Sequence, residues 1–266
     1  MTIRVCLAGA TGWVGRGLVP ALAASGDLEL VGAVSRRAAG RPLSEVLGMP
    51  SPSLTVRASL EEALAAPCDV LIDYTRPEAV RRHVLSAVGR GIACVVGTSG
   101  LSSAEYEEID AAARARGVGV LAAGNFALTA VLLQRFAEVA ARHVPQWEIL
   151  EYARAGKPDA PSGTARELAA RLARVREPVL GQPLAETHGH PEARGATLEG
   201  SQIHSVRLPG FVSSIEILFG LSDERLSIRH DSGAGATPYV AGTLLAVRKV
   251  GSFTGLRRGL DSVLEL

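Results

Sequence analysis

The stretch Ile3-Arg4-Val5-Cys6-Leu7-Ala8-Gly9-Ala10-Thr11-Gly12-Trp13-Val14-Gly15 decides the fold. Its first six residues read as a buried strand, and the glycine-rich run leads directly into an apolar helical stretch. Glycine at these positions permits a tight turn, close approach of the backbone to a pyrophosphate, and close packing of helix on strand. A second strand, Leu28-Glu29-Leu30-Val31-Gly32-Ala33-Val34, follows, as a dinucleotide-binding unit requires. Gly9, Ala10, Thr11, Gly12, Trp13, Val14 and Gly15 are therefore candidate cofactor contacts. The competing reading is a purely structural strand-turn-helix, and the placement of the glycines between a strand and a helix argues against it.

The end of the second strand chooses between cofactors. An NAD enzyme usually carries an Asp or Glu there for the ribose 2′-hydroxyl, whereas this chain carries Ser35-Arg36-Arg37. Two guanidinium groups and no carboxylate favour a 2′-phosphate, so NADPH is preferred and NADH is the alternative. The same arginines also read as a solvated basic loop in an arginine-rich chain.

Further along, strands and helices alternate as a parallel sheet requires. Val70-Leu71-Ile72-Asp73-Tyr74 is a strand, followed by Thr75-Arg76-Pro77-Glu78, where Pro77 suits the first turn of a helix. Ala93-Cys94-Val95-Val96 ends in Gly97-Thr98-Ser99-Gly100, and Val118 to Ala123 ends in Gly124-Asn125-Phe126. Ligands of open α/β sheets bind beyond the carboxyl ends of the strands, so these loops form one rim. Tyr74, Thr75, Gly97, Thr98, Gly124, Asn125 and Phe126 join the candidate cofactor contacts, and Ser99 is a candidate substrate contact.

After Asn125 the pattern changes. A helix from about Ala127 to His143 leads to the alternating strand Trp147 to Tyr152, and the span from Pro178 to Gly200 reads as loops. Ile203 to Arg207, Ser214 to Phe219 and Arg225 to His230 alternate apolar and polar residues, which predicts three antiparallel strands with one covered face. Pro238 to Val250 is helical again. The fold class is α/β, with an N-terminal Rossmann-type parallel sheet and a mixed α+β second domain. Residues 1–125 with a returning segment 232–266 form the dinucleotide-binding domain, and residues 126–231 form the substrate-binding and oligomerisation domain.

Between strand and loops in that second domain lies Lys157-Pro158-Asp159-Ala160-Pro161-Ser162-Gly163-Thr164-Ala165, which opens a helix. Unpaired N–H groups and two hydroxyls at Ser162, Gly163 and Thr164 would receive a carboxylate at the positive end of the helix dipole. Lys157 is one of only two lysines among 28 basic residues, which suggests a need for a compact, titratable charge. An ordinary N-cap in a turn is the bland alternative.

Composition narrows the classes. With 266 residues, 47% of them hydrophobic, the chain can build a substantial core. A net charge of +1 argues against a nucleic-acid partner, and no apolar run approaches a membrane span. Cys6, Cys68 and Cys94 lie in or beside apolar strands without metal-ligand spacing, so reduced thiols, no bound metal and a cytoplasmic location are expected. The chain opens directly on its first strand, with no signal-peptide pattern.

These motifs together resemble the dihydrodipicolinate reductase family over nearly the whole chain. The resemblance is carried by Gly9 to Gly15, Asp73 to Glu78, Gly97 to Gly100, Asn125-Phe126, Lys157 to Ala165 and Ile203 to Gly210. It implies a nicotinamide-dependent reductase of lysine and diaminopimelate synthesis, a homotetramer, with a cyclic dicarboxylic acid bound near the Ser-Gly-Thr loop. The family's His-His pair, whose first imidazole is the proposed proton donor, is replaced here by Ala153 and Arg154, and a further family histidine is replaced around Ser213-Ser214-Ile215. Lys157 is then the candidate acid, as a desolvated ammonium, with Arg154, Ser162, Gly163, Thr164 and Ser99 binding substrate. Arg154 can stabilise charge but not donate a proton. His204 and His230 read as structural groups. Three functions remain open at this point: the family reaction, NADPH-dependent reduction of another imine or keto acid, and a non-catalytic nucleotide-binding relative.

Overall fold

A computed structural model describes residues 2–265 of the chain, which divide into two compact units. One unit comprises the residues up to Leu128 together with those from Ala236 onward, and the other is Thr129–Gly235.

The first unit is built on β1 (Ile3–Ala8), α1 (Trp13–Ala23), β2 (Leu28–Val34), α2 (Leu43–Leu47), α3 (Leu60–Ala63), β3 (Val70–Asp73), α4 (Pro77–Gly89), β4 (Ala93–Val96), α5 (Ser103–Arg116) and β5 (Gly119–Ala122). Strands β3, β4 and β5 are buried at every position. Continuous apolar strands of this kind belong to a parallel sheet covered on both faces. On one face Cys6, Ala8, Leu71, Cys94, Val96, Val120 and Ala122 pack against Leu60, Val80, Val84, Ala87, Val88, Ile109 and Ala113 of the helices. The helix ends follow from local chemistry. Pro77 opens α4, a reciprocal Ser102–Glu105 capping box opens α5, and left-handed Gly117 closes α5.

The second unit holds α6 (Leu128–His143, whose first residue belongs to the first unit), β6 (Gln146–Ala153), α7 (Gly163–Val175), β7 (Ala196–Leu198), β8 (Ser201–Arg207), β9 (Ser213–Leu221) and β10 (Glu224–Ser232). Its five strands run in the order β10-β9-β6-β8-β7. One face carries Trp147, Ile149, Ile203, Ile215, Ile217 and Phe219, packed with Leu133, Ala137, Ala141, Leu168, Ala169 and Leu172. The expected antiparallel arrangement of all three late strands is corrected here. Strand β8 pairs parallel with β6, and its antiparallel neighbour is the short β7 inside the span expected as loops, while β9 and β10 pair as an antiparallel hairpin. Alternation reports a covered face and not a direction. The long connection after α7 lets the chain return in the same sense as β6, which then separates β8 from β9.

The chain finishes in the first unit with α8 (Thr237–Val250) and β11 (Gly255–Arg258). Strand β11 pairs parallel with β5 and completes a six-stranded sheet of order β11-β5-β4-β3-β1-β2. No alternation or apolar run announces it, since only Gly255 of its four residues is buried. No helix among the described residues is long and apolar enough to cross a membrane.

Candidate active site

At the carboxyl end of β1 the chain needs glycine for steric reasons. Gly9 has φ of +88°, and a Cβ there would lie 2.2 Å from the carbonyl oxygen of Tyr74. A Cβ on Gly15 would lie 2.2 Å from the oxygen of Gly9, so the turn folds tightly onto the first turn of α1. The N-cap of α1 is Gly12, which supplies no side-chain acceptor, and the first turn carries no acidic residue. The N–H groups of that turn thus lack intrahelical partners and face an uncompensated positive dipole end, which fits a dinucleotide pyrophosphate. Thr11 and Ser35 join their hydroxyls at 2.7 Å, linking this turn to the end of β2. Arg36 and Arg37 follow in a short exposed turn, and among the described residues neither makes an ion pair. Trp13 is 58% exposed and meets Tyr239 edge-on at 5.4 Å.

Behind the loops after β3 and β4 lies a buried polar knot. Asp73 is fully buried, and its Oδ1 accepts from the Thr75 amide (3.0 Å), the Thr75 hydroxyl (2.7 Å) and the Thr98 hydroxyl (2.8 Å). Its Oδ2 meets His83 Nδ1 at 2.8 Å. Tyr74 is committed inward. Its ring packs on Gly97, where a Cβ would lie 2.0 Å from a ring carbon, and edge-on against Phe126. Its hydroxyl lies 2.7 Å from that of Thr243, and burial raises its pKa well above the usual phenol range. Asn125 folds its side-chain oxygen onto the Ala127 amide at 2.8 Å, while Gly124 and Ser99 are exposed.

In the second unit Ser162 is the N-cap of α7, its hydroxyl accepting from the Ala165 amide at 3.3 Å. The amides of Gly163 and Thr164 therefore remain for another acceptor, and the space beside Gly163 is open, with its nearest neighbour 3.9 Å from a built Cβ. No acidic residue occupies the first turn. Lys157 is not the lone, desolvated amine that the sequence suggests. Its Nζ donates to Asp159, and the two side chains are 27% and 39% exposed. That bond, more than any other factor, holds the Asp159 carboxyl below its ordinary range. Arg154 is exposed, whereas Ala153 is only 2% exposed. His204 bonds Glu148 at 2.8 Å and His230 bonds Thr129 at 2.9 Å.

The candidate residues thus fall into two sets, one on each unit. The sequence places Asp73 on the rim but does not show its buried role, and it gives no sign of the other groups that hold the candidates: His83 under the loops after β3 and β4, Asp159 beside Lys157, and Glu151 with Arg207 under the Lys157 loop. A carboxylate that closes an apolar strand, as Asp73 does, or takes an inward position of an alternating one, as Glu151 does, is the signal for these two buried acids.

The family models for the dihydrodipicolinate reductase N-terminus and C-terminus match residues 3–126 and 129–264. The 4-hydroxy-tetrahydrodipicolinate reductase of Moorella thermoacetica is 39% identical over 99% of this chain and 98% of its own length. The enzyme of the same name from Synechococcus elongatus is 39% identical over 98% of each chain. Among solved structures, a dipicolinate-bound dihydrodipicolinate reductase from a Paenisporosarcina species superposes with a TM-score of 0.90, at 34% identity over 99% of this chain and 100% of its own. With both units matched and the relatives covered end to end, the chain belongs to the dihydrodipicolinate reductase family and is an NAD(P)H-dependent oxidoreductase.

Proposed function

We propose that this enzyme reduces 4-hydroxy-tetrahydrodipicolinate, the substrate for which its relatives are named, with NADPH preferred over NADH. The bound dinucleotide supplies a hydride. Gly9 to Gly15 receive its pyrophosphate, Ser35, Arg36 and Arg37 its 2′-phosphate, and the loops at Tyr74–Thr75, Gly97–Thr98 and Gly124–Phe126 its nicotinamide half. Ser162, Gly163 and Thr164 bind a substrate carboxylate, and Ser99 and Arg154 add contacts. Lys157 gives one proton from Nζ to the substrate atom that gains charge when hydride arrives, and regains it from solvent.

The observation that carries this reading is the cap of α7, where Ser162 satisfies only one amide and leaves those of Gly163 and Thr164 free within reach of the loop that bears Lys157. The test is cofactor oxidation with 4-hydroxy-tetrahydrodipicolinate by wild type and Lys157→Ala. The variant should lose roughly two to four orders of magnitude in turnover with NADPH affinity nearly unchanged. Full activity in Lys157→Ala would require another donor. A dissociation constant lower for NADH than for NADPH would overturn the cofactor preference.

Ala153 and Arg154 left other cyclic imino and keto acids open as substrates, but the relatives do not favour them, so turnover on a panel of such acids should be highest with 4-hydroxy-tetrahydrodipicolinate. The three free cysteines, two of them buried, suit a reducing compartment, and the cytoplasm is the proposed location. A homotetramer is the proposed assembly.

A further inference from the structure

Strands β6 and β8 end in a buried ion pair that the reading above does not use. Glu151 is 2% exposed and the Arg207 side chain 16% exposed. Parallel register sets Glu151 beside Ser205 and Ala153 beside Arg207, so the carboxylate and the guanidinium share a sheet face. Glu151 Oε1 accepts from Arg207 Nη2 at 2.6 Å, from the Ser205 hydroxyl at 2.7 Å and from the backbone amide of Ser162 at 3.1 Å. The same Arg207 Nη2 donates to the carbonyl of Asp159 at 2.7 Å.

One carboxylate therefore grips the Lys157 loop at two points. It holds the amide of Ser162 directly and the carbonyl of Asp159 through Arg207. The first point is the cap residue of α7, and the second is the backbone of the residue that pairs with Lys157. Burial raises the Glu151 carboxyl, but its hydrogen-bond donors outweigh burial and bring it below the ordinary range, so it is ionised at neutral pH. Buried ion pairs add little stability over well-packed apolar residues, so the consequence of this one is sought in geometry.

We propose that Glu151 and Arg207 are positioning residues of the reaction, which fix the loop so that the Lys157 ammonium and the amides of Gly163 and Thr164 hold their places relative to each other. The proposal rests on the reading of that loop as the substrate site. Neither residue touches substrate; both act through the loop. A displacement of about 1 Å at a reacting group costs on the order of a hundredfold in rate, which sets the scale of the effect.

The test is a set of variants, Arg207→Met, Arg207→Lys and Glu151→Gln, each made in wild type and in Lys157→Ala. Turnover and KM with 4-hydroxy-tetrahydrodipicolinate, NADPH dissociation constants and melting temperatures are measured. Arg207→Met should lower kcat by roughly 10- to 100-fold with NADPH affinity within about twofold of wild type, and Arg207→Lys should recover part of the loss. In the Lys157→Ala background the same change should cost less than about threefold in kcat, because both act on one proton transfer, while a rise in KM through the Gly163 and Thr164 amides remains. Losses in kcat that multiply in the double variant, or wild-type kcat and KM in Arg207→Met, overturn the positioning role. A fully active Lys157→Ala overturns instead the site reading beneath it. Should Arg207→Met fail to fold, the near-isosteric Glu151→Gln carries the same comparison.

Discussion

Ala153 is 2% exposed at the end of β6, paired with Arg207 on one side and Ser213 on the other. The two imidazoles of the resemblance are therefore not equally restorable. Arg154 is exposed, so Arg154→His should fold with a melting temperature near that of wild type. Ala153→His should overpack the strand end and cost about 1–3 kcal/mol, which thermal melts of the two variants measure directly. His230 supplies a second prediction. Burial depresses its pKa despite the opposing charge of Asp231, so the folded protein prefers the neutral ring. A base depressed on folding contributes stability that is complete above its unfolded pKa of about 6.5 and is lost as pH falls from there toward the folded value. Melting temperature should therefore drop below about pH 6.5, and His230→Asn, which can still bond Thr129, should flatten that part of the profile. At this scale the sequence was partly legible. Lys157 stood out by rarity and by its motif, but its partner Asp159 did not, because a spacing of two residues in a loop implies no contact.

The glycine turns were legible as elements because steric need and motif coincide. At Gly97 the need was hidden, since the neighbour that imposes it, Tyr74, comes from a different strand end. Gly97→Ala would drive a methyl into a ring already held by Phe126 and Thr243, so it should destabilise the first unit by about 1–3 kcal/mol. Denaturant unfolding of the variant against wild type checks this, and an unchanged midpoint would mean that the ring has room to move. Strand direction was the part of the fold least legible. Alternating residues from Ile203 to Arg207 predicted a strand correctly, yet its parallel partner was chosen by the crossover after α7. Strand β11 was missed for the opposite reason: as a short edge strand it needs one buried glycine and a row of backbone bonds, neither of which leaves a hydrophobic pattern.

At the scale of the whole molecule, the second unit has a sheet with only one face packed by helices. On the other face Glu148, Leu150, Tyr152, Glu216 and Leu218 sit half-exposed, with Leu150 opposite Glu216 and Leu218 opposite Glu148. Leucines in the two adjacent strands β6 and β9 of such a face suit an isologous contact with a second copy, in which each patch meets its own image. Light scattering on the wild-type chain at micromolar concentration should therefore give a mass above one protomer. Leu150→Arg would set a charge into that face, and the variant should shift toward smaller species. The proposed nucleotide contacts all belong to the first unit, so NADPH affinity of the variant should stay within about twofold of wild type even where turnover falls. A wild-type monomer would remove this face from the assembly. A variant that dissociates and also loses NADPH affinity would show that the nucleotide loops depend on association, and the assignment of the cofactor to the first unit alone would have to be given up.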